Sequence, residues 1–279
     1  MAFVQANGVQ LKVNRYRIDR ARSNGDGDHG ERAVVVFVHG LGVVDHSGLS
    51  FTVGMPLADE HDVVLYALRG HGHSELAPTG YRLVDHVADL FGLVDALAIA
   101  GPVHLVGCSY GGAVTVAAAV QQPRRVASLF LIDPVIPVAG WTQPIVATLD
   151  PAAERLRSPI SAEEAREVLG VASRRKAVAA AERARRLLLG TTLRDDLRAE
   201  RAFGLDEFAR ITGPVGAVFG TESDMFRLAD QLVALVPAAQ VHTIDGASHL
   251  EVFGHTSELV RLIRLHLAAQ RRPLPTEAL

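Results

Sequence analysis

Residues 107–111 read Gly-Cys-Ser-Tyr-Gly, a serine held between two glycines. The apolar run "PVHLVGC" (102–108) leads into it, and the alanine-rich "GAVTVAAAVQQ" (112–122) leads away. A serine lifted on a strand-to-helix turn takes a strained backbone and presents its hydroxyl. A side chain at either glycine would strike the crossing strand or helix. The turn also aims the amide of the next residue, Tyr110, at the place where an oxyanion would develop. A neutral serine hydroxyl is a weak nucleophile, so it needs a base near neutral pH, which histidine supplies. The imidazolium that forms needs a carboxylate to stabilise it and to fix its tautomer. The competing reading of 107–111 is a plain glycine bend; the flanking strand and helix favour the nucleophile.

Those side chains can meet only if the rest of the chain brings them together. Asn7-Gly8 lies between "FVQ" and "VQLKVNRYRI" and signals a hairpin. Short continuous apolar runs then recur at 33–40, 62–68, 102–108, 126–133, 214–220 and 239–245, as expected of strands buried on both faces. Helical patterns separate most of them, for instance 83–100, which ends at Gly101-Pro102. Such alternation predicts a mostly parallel sheet with helices on both faces. It breaks between Pro134 and Gly213. There Ser161 and Glu164 form a capping box ahead of a helix that Gly170 stops, and helices follow over 173–190 and 192–204. The predicted plan is a core of residues 1–133 and 213–270, a helical lid (cap) at 134–212, and a frayed tail at 271–279. Residues 23–32 read as a polar, glycine-rich loop.

The 279 residues are 48% hydrophobic and carry a net charge of −3. Such a chain can build a large core and has no global field that draws it to nucleic acid or membrane. Arginine supplies nearly all the positive charge; Lys12 and Lys176 are the only lysines. Cys108 is the single cysteine, so no intramolecular disulfide forms. The N-terminal residues lack the pattern of a secretory signal, and no stretch is long and apolar enough for a membrane span. The expectation is a cytoplasmic protein with no nucleic-acid or membrane partner; oligomeric state stays open.

Beyond the serine motif, "HGLG" (39–42) ends the first buried strand, "LRGHGHS" (68–74) follows the next, and "IDGASHLEVF" (244–253) follows the last. In this order, from about Val9 to Leu267, the chain resembles the serine-hydrolase branch of the α/β-hydrolase superfamily. The resemblance implies an eight-stranded, mostly parallel sheet with an inserted helical lid. It implies Ser109 as nucleophile and His249 as general base and later general acid. Asp224, in "VFGTESDMF" after the strand that follows the lid, is the acid it implies. Asp133, at the end of "VASLFLID", is the competitor, because some members place the acid there; Glu222 is a third option. The oxyanion donors would be the backbone amides of Tyr110 and Leu41. Ala67 departs from relatives that carry an aspartate two residues before the arginine.

Other residues have plainer readings. His71 and His73 form H-x-H, but no cysteine pair or carboxylate cluster completes a metal site, so no metal and no cofactor is expected. His39 reads as a structural hydrogen-bonding residue and Cys108 as a small buried hydrophobe. Residues 155–186 hold nine basic and four acidic side chains, which could guide an acidic substrate. Over the whole of 134–212 the excess shrinks to thirteen against eleven, and a solvated face is the simpler account. Val138, Trp141, Leu187 and Leu188 are the candidate pocket walls; Trp141 could equally anchor the lid.

The expected activity is hydrolysis of an ester, thioester, lactone or carbon–carbon bond next to a carbonyl. The substrate would be a small, largely apolar molecule, cleaved through an acyl-serine. A lyase or cyclase using the same triad, or a ligand-sensing receptor with little turnover, are the rivals.

Overall fold

The computed structural model describes residues 2–17, 32–42, 50–158, 160–169 and 174–270. The polar loop expected at 23–32, except Arg32, the helix stop at Gly170 and the tail at 271–279 lie outside them.

Eight strands form one sheet in the order β1-β2-β4-β3-β5-β6-β7-β8. They are β1 (Ala2–Ala6), β2 (Val9–Tyr16), β3 (Val34–Val38), β4 (Asp62–Tyr66), β5 (Val103–Cys108), β6 (Val126–Ile132), β7 (Val215–Gly220) and β8 (Gln240–Ile244). The first two are antiparallel, joined through Asn7 and Gly8, both at positive φ as a tight hairpin turn requires. β2 also pairs antiparallel with β4, and the strands from β4 across to β8 are parallel. Each apolar run of the sequence is a strand, one to three residues shorter than the run.

The strands read as continuous apolar runs because both faces of the sheet are covered. Along β3, Val36 and Val38 join one core cluster while Val35 and Phe37 join the other. β6 splits the same way, Leu129 and Leu131 to one side and Phe130 and Ile132 to the other. Helices α1 (Leu83–Ala96) and α2 (Tyr110–Gln121) cover the first face. On the second lies the C-terminal helix, which buries Leu259, Leu262, Ile263 and Leu267. Each such side chain contributes roughly 1.5–3 kcal/mol when fully buried.

Between β6 and β7 the described chain is helical: α3 (Gln143–Arg155), α4 (Ala162–Leu169), α5 (Arg174–Gly190), α6 (Leu193–Arg198) and α7 (Leu205–Phe208). The capping box at α4 is present: the Glu164 amide donates to Ser161 Oγ at 3.2 Å, and the Ser161 amide donates to Glu164 Oε2 at 2.8 Å. The helix expected over 192–204 is shorter: α6 ends at Arg198, and α7 begins only at Leu205, beyond the expected range. The segment is tied to the core at the start of α1, where Asp196 accepts the Tyr81 amide and Glu200 accepts the Leu83 amide. Two short helices, α8 (Ala229–Leu235) and α9 (His249–Val252), and the longer α10 (Thr256–Ala269) follow β7. Among the described residues no helix is long and apolar enough to cross a membrane.

One core position carries a pH dependence. His266 of α10 packs on the ring of Phe130, and its Nε2 makes no hydrogen bond among the described residues. Burial, and then the nearby His104 and His242, push its pKa down to about 4. The unfolded chain binds this proton near pH 6.5, so folding stability is complete above that pH and falls as pH drops toward 4. His266→Leu should flatten this acid limb, removing on the order of 2 kcal/mol of the loss between pH 7 and pH 4. Urea melts of both proteins across that range measure it; parallel curves would contradict the assignment.

Candidate active site

The C-terminal ends of β5, β6 and β8 converge, and the register decides what meets. Cys108 pairs with Ile132 across β5 and β6, so Ser109 and Asp133, the first residue after each strand, are neighbours. The Ser109 amide donates to Ile132 O at 3.0 Å, and the Asp133 amide donates to Val218 O at 2.8 Å. Ser109 has φ +52° and ψ −121°, between β5 and the first residue of α2. A Cβ on Gly111 would lie 2.0 Å from Val38 O, so only glycine lets α2 cross this close to β3. Gly40, in the loop after β3, faces the serine: a Cβ there would lie 2.9 Å from Ser109 Cβ.

His249 opens α9, where Ser248 and Glu251 form a capping box that sets the entry of the chain. Its Nε2 lies 3.1 Å from Ser109 Oγ. Its Nδ1 lies 2.5 Å from Asp133 Oδ2, and the ring stands edge-on to Phe253. A carboxylate accepts only, so Nδ1 carries the proton and Nε2 is left to accept from the serine hydroxyl. The Asp133 side chain is fully buried, whereas that of His249 is 34% exposed. The closed end of the chain of groups is thus the carboxylate and the open end is the serine.

The carboxylate on His249 is therefore Asp133, and the expectation of Asp224 is corrected. Both follow strand ends, but Asp133 sits one strand from Ser109, at φ +42°, with its side chain turned inward. Asp224 lies outward and exposed in the turn after β7. That turn sends Ser223 inward instead, and its hydroxyl donates to Asp133 Oδ2 at 2.5 Å. The Gly220 amide donates to Oδ1 at 3.0 Å. Glu222 is also exposed. Sequence reading missed Ser223; its one signal was a hydroxyl residue inside the turn beside the expected acid.

Tyr110 is the first residue of α2, so its amide has no acceptor within the helix. Leu41 follows Gly40 and walls a cavity of about 50 Å³. By its volume the cavity holds roughly three to five waters. Leu149, Ala184, Leu187, Leu188 and Leu193 of the helical segment make most of its apolar wall. His71 and Arg183 add its polar edges, which sequence reading had not assigned to a pocket. His71 is buried, with Nδ1 3.0 Å from Arg69 O; burial first, and the Arg183 charge in addition, lower its pKa and keep it neutral. Val138 and Trp141 do not line this cavity. Trp141 lies flat on Tyr110, 6.2 Å between centroids, and its Nε1–H donates to Arg201 O. It anchors the segment after β6 instead.

The remaining residues serve the frame. His39 Nε2 accepts the Leu68 amide and its Nδ1–H donates to Gly40 O, joining the loops after β3 and β4. Arg69 makes a two-pronged pair with Asp89 of α1, whose Oδ1 also accepts from Asn7. The carboxylate absent at Ala67 is thus not needed to satisfy this guanidinium. Cys108 is buried and its thiol is pushed up to about 12 by burial, so it is not a nucleophile at neutral pH. His71 is buried while His73 is exposed, so the two do not share one site.

An eight-stranded, mostly parallel sheet whose strand ends carry a serine, a histidine and an aspartate defines a hydrolase-type α/β protein. The chain belongs to the alpha/beta hydrolase family, whose model matches residues 35–262. It is 35% identical over 123 residues to the dihydrolipoyllysine-residue acetyltransferase component of the acetoin cleaving system of Cupriavidus necator, covering 44% of this chain and 31% of that protein. It is 31% identical over 126 residues to 2-hydroxymuconate semialdehyde hydrolase of Pseudomonas putida, covering 45% of this chain and 43% of that protein. The chain thus matches less than half the length of either relative. The enol-lactonase of Burkholderia xenovorans LB400 superposes with a TM-score of 0.72 at 21% identity, covering 96% of this chain and 100% of that one. At that identity the likeness is one of fold.

The two aspartates should separate by mutation. Asp133→Asn, which tolerates the positive φ, should lower turnover by as much as about 10⁴-fold at neutral pH, because the histidine loses its anionic partner. Asp224→Asn should stay within about twofold of the parent, as expected of an exposed turn residue. Steady-state rates on one p-nitrophenyl ester decide it; the reverse order would restore Asp224.

Proposed function

We propose that the protein is a serine-dependent hydrolase. It would cleave an ester, thioester, lactone or carbon–carbon bond next to a carbonyl, in a small and largely apolar molecule. The observation that carries this reading is the unbroken line Ser109 Oγ, His249, Asp133, with contacts of 3.1 and 2.5 Å. His249 Nε2 takes the hydroxyl proton as Ser109 attacks the carbonyl carbon, and Asp133 stabilises the imidazolium. The amides of Tyr110 and Leu41 receive the oxyanion; losing one such donor typically costs about 3 kcal/mol. The imidazolium then gives its proton to the leaving group. Water, activated by the same histidine, releases the acyl group.

The helices at 134–212 act as a lid in this reading, since α3, α5 and α6 supply most of the cavity wall beyond Leu41. The wall suits a short apolar acyl group. Arg183 is its one fully charged side chain among the described residues. We infer that a carboxylate on the substrate pairs with Arg183 beside this apolar wall through charge-assisted hydrogen bonds.

Two measurements test the reading. A fluorophosphonate should label the parent at Ser109 and leave Ser109→Ala unlabelled, with turnover down at least about 10³-fold and melting temperature unchanged. Parent-like rates in Ser109→Ala would overturn the mechanism. Arg183→Leu should raise KM about tenfold for p-nitrophenyl hemisuccinate while leaving p-nitrophenyl butyrate within about twofold. Equal losses on both esters would remove the carboxylate from the substrate class.

A further inference from the structure

The turn after β7 is built around the carboxylate that meets His249. The Ser223 amide donates to Gly220 O at 3.1 Å, closing the turn, and the Gly220 amide and the Ser223 hydroxyl both point at Asp133. The Met225 amide donates to Ser223 Oγ at 3.1 Å. With that oxygen accepting from Met225, and a carboxylate that only accepts, the single Ser223 proton is directed onto Asp133 Oδ2. That same oxygen accepts from His249 Nδ1. Ser223 is 7% exposed and Asp133 fully buried.

We propose that Ser223 is a positioning residue of this site, a hydroxyl that shares Asp133 Oδ2 with His249 and holds the carboxylate in the plane the imidazole needs. This deepens the hydrolase reading and rests on it. Gly220 alone restrains only Oδ1, and a carboxylate held at one oxygen can swing about its Cβ–Cγ bond. With Ser223 on Oδ2 both oxygens are fixed before His249 is engaged, so the ring is presented to Ser109 at one angle. The second bond also satisfies an oxygen that burial has cut off from water, where a missing partner is costly. An acid at this position would set a second carboxylate against the first and force one of the two to hold a proton. This accounts for a turn in which serine points inward and Asp224 outward. The turn in turn leans on the histidine loop: the Glu222 amide donates to Ala247 O, and the Gly246 amide to Thr221 Oγ1.

The test compares Ser223→Ala with Ser223→Thr, which keeps a hydroxyl. The readouts are kcat and KM on p-nitrophenyl butyrate, melting temperature, and the downfield proton NMR resonance of His249 Nδ1–H. Ser223→Ala should lower kcat on the order of tenfold, leave KM within about twofold and shift the resonance, as loss of a hydrogen bond to a charged group implies. Ser223→Thr should recover most of kcat and the parent resonance. If Ser223→Ala does not fold, Ser223→Cys, a weaker donor of similar size, takes its place with the same expectations. A parent-like kcat and an unmoved resonance would overturn the proposal, as would a loss that Ser223→Thr fails to rescue. Failure of the hydrolase reading is separable: Ser109 would then resist the fluorophosphonate. The resonance, which reports the His249–Asp133 bond without turnover, would still decide whether Ser223 holds it.

Discussion

A serine at φ +52° at the C-terminal end of a central, buried strand is the constraint from which the rest of the site follows. L-residues resist that backbone. It persists because its neighbours leave no alternative: β5 runs between β3 and β6, and α2 must start at once and cross against Val38. Gly111 makes the crossing close enough, and the packed alanines and valines of α2 hold it there. The strained turn lifts the hydroxyl clear of the sheet and leaves the Tyr110 amide at a helix start, with no acceptor within the helix.

The adjoining strand ends in a second left-handed residue, Asp133. Two of the four described non-glycine residues with positive φ thus lie side by side at the site, as expected where strain serves positioning. At Asp133 the unusual backbone turns the carboxylate under the β7 turn, away from water and toward His249. Burial alone would make that charge costly, and three donors, from Gly220, Ser223 and His249, offset it. The result is a rigid acceptor with one open direction, along the imidazole to the serine.

The helical segment between β6 and β7 follows different physics. Its helices bury one face against the core while their charged faces pair among themselves, as Asp150 does with Arg194 and Arg198. These ion pairs are partly exposed and individually weak. Its attachments to the core among the described residues include Trp141 on Tyr110, Asp196 and Glu200 on the Tyr81 and Leu83 amides, and the Thr192 amide on Pro78 O. Arg183 also lines the cavity.

The β-strands, the elbow around Ser109 and the histidine after the last strand were legible in the residues alone, because each rests on local rules. Buried strands demand continuous apolar runs, a strained turn demands glycines, and Asn7-Gly8 demands a hairpin. The family follows from the order of those pieces. What the residues could not decide was which of two carboxylates, Asp133 or Asp224, meets His249. Both follow strands that end at the same side of the sheet, so sequence spacing treats them alike. The difference lies in the pairing of Cys108 with Ile132, which puts Asp133 beside Ser109, and in a turn that sends Ser223 in and Asp224 out. Trp141 and Arg183 were undecidable for the same reason: a helix's sequence shows which face is apolar or charged, but only its docking shows which residue of that face meets the cavity.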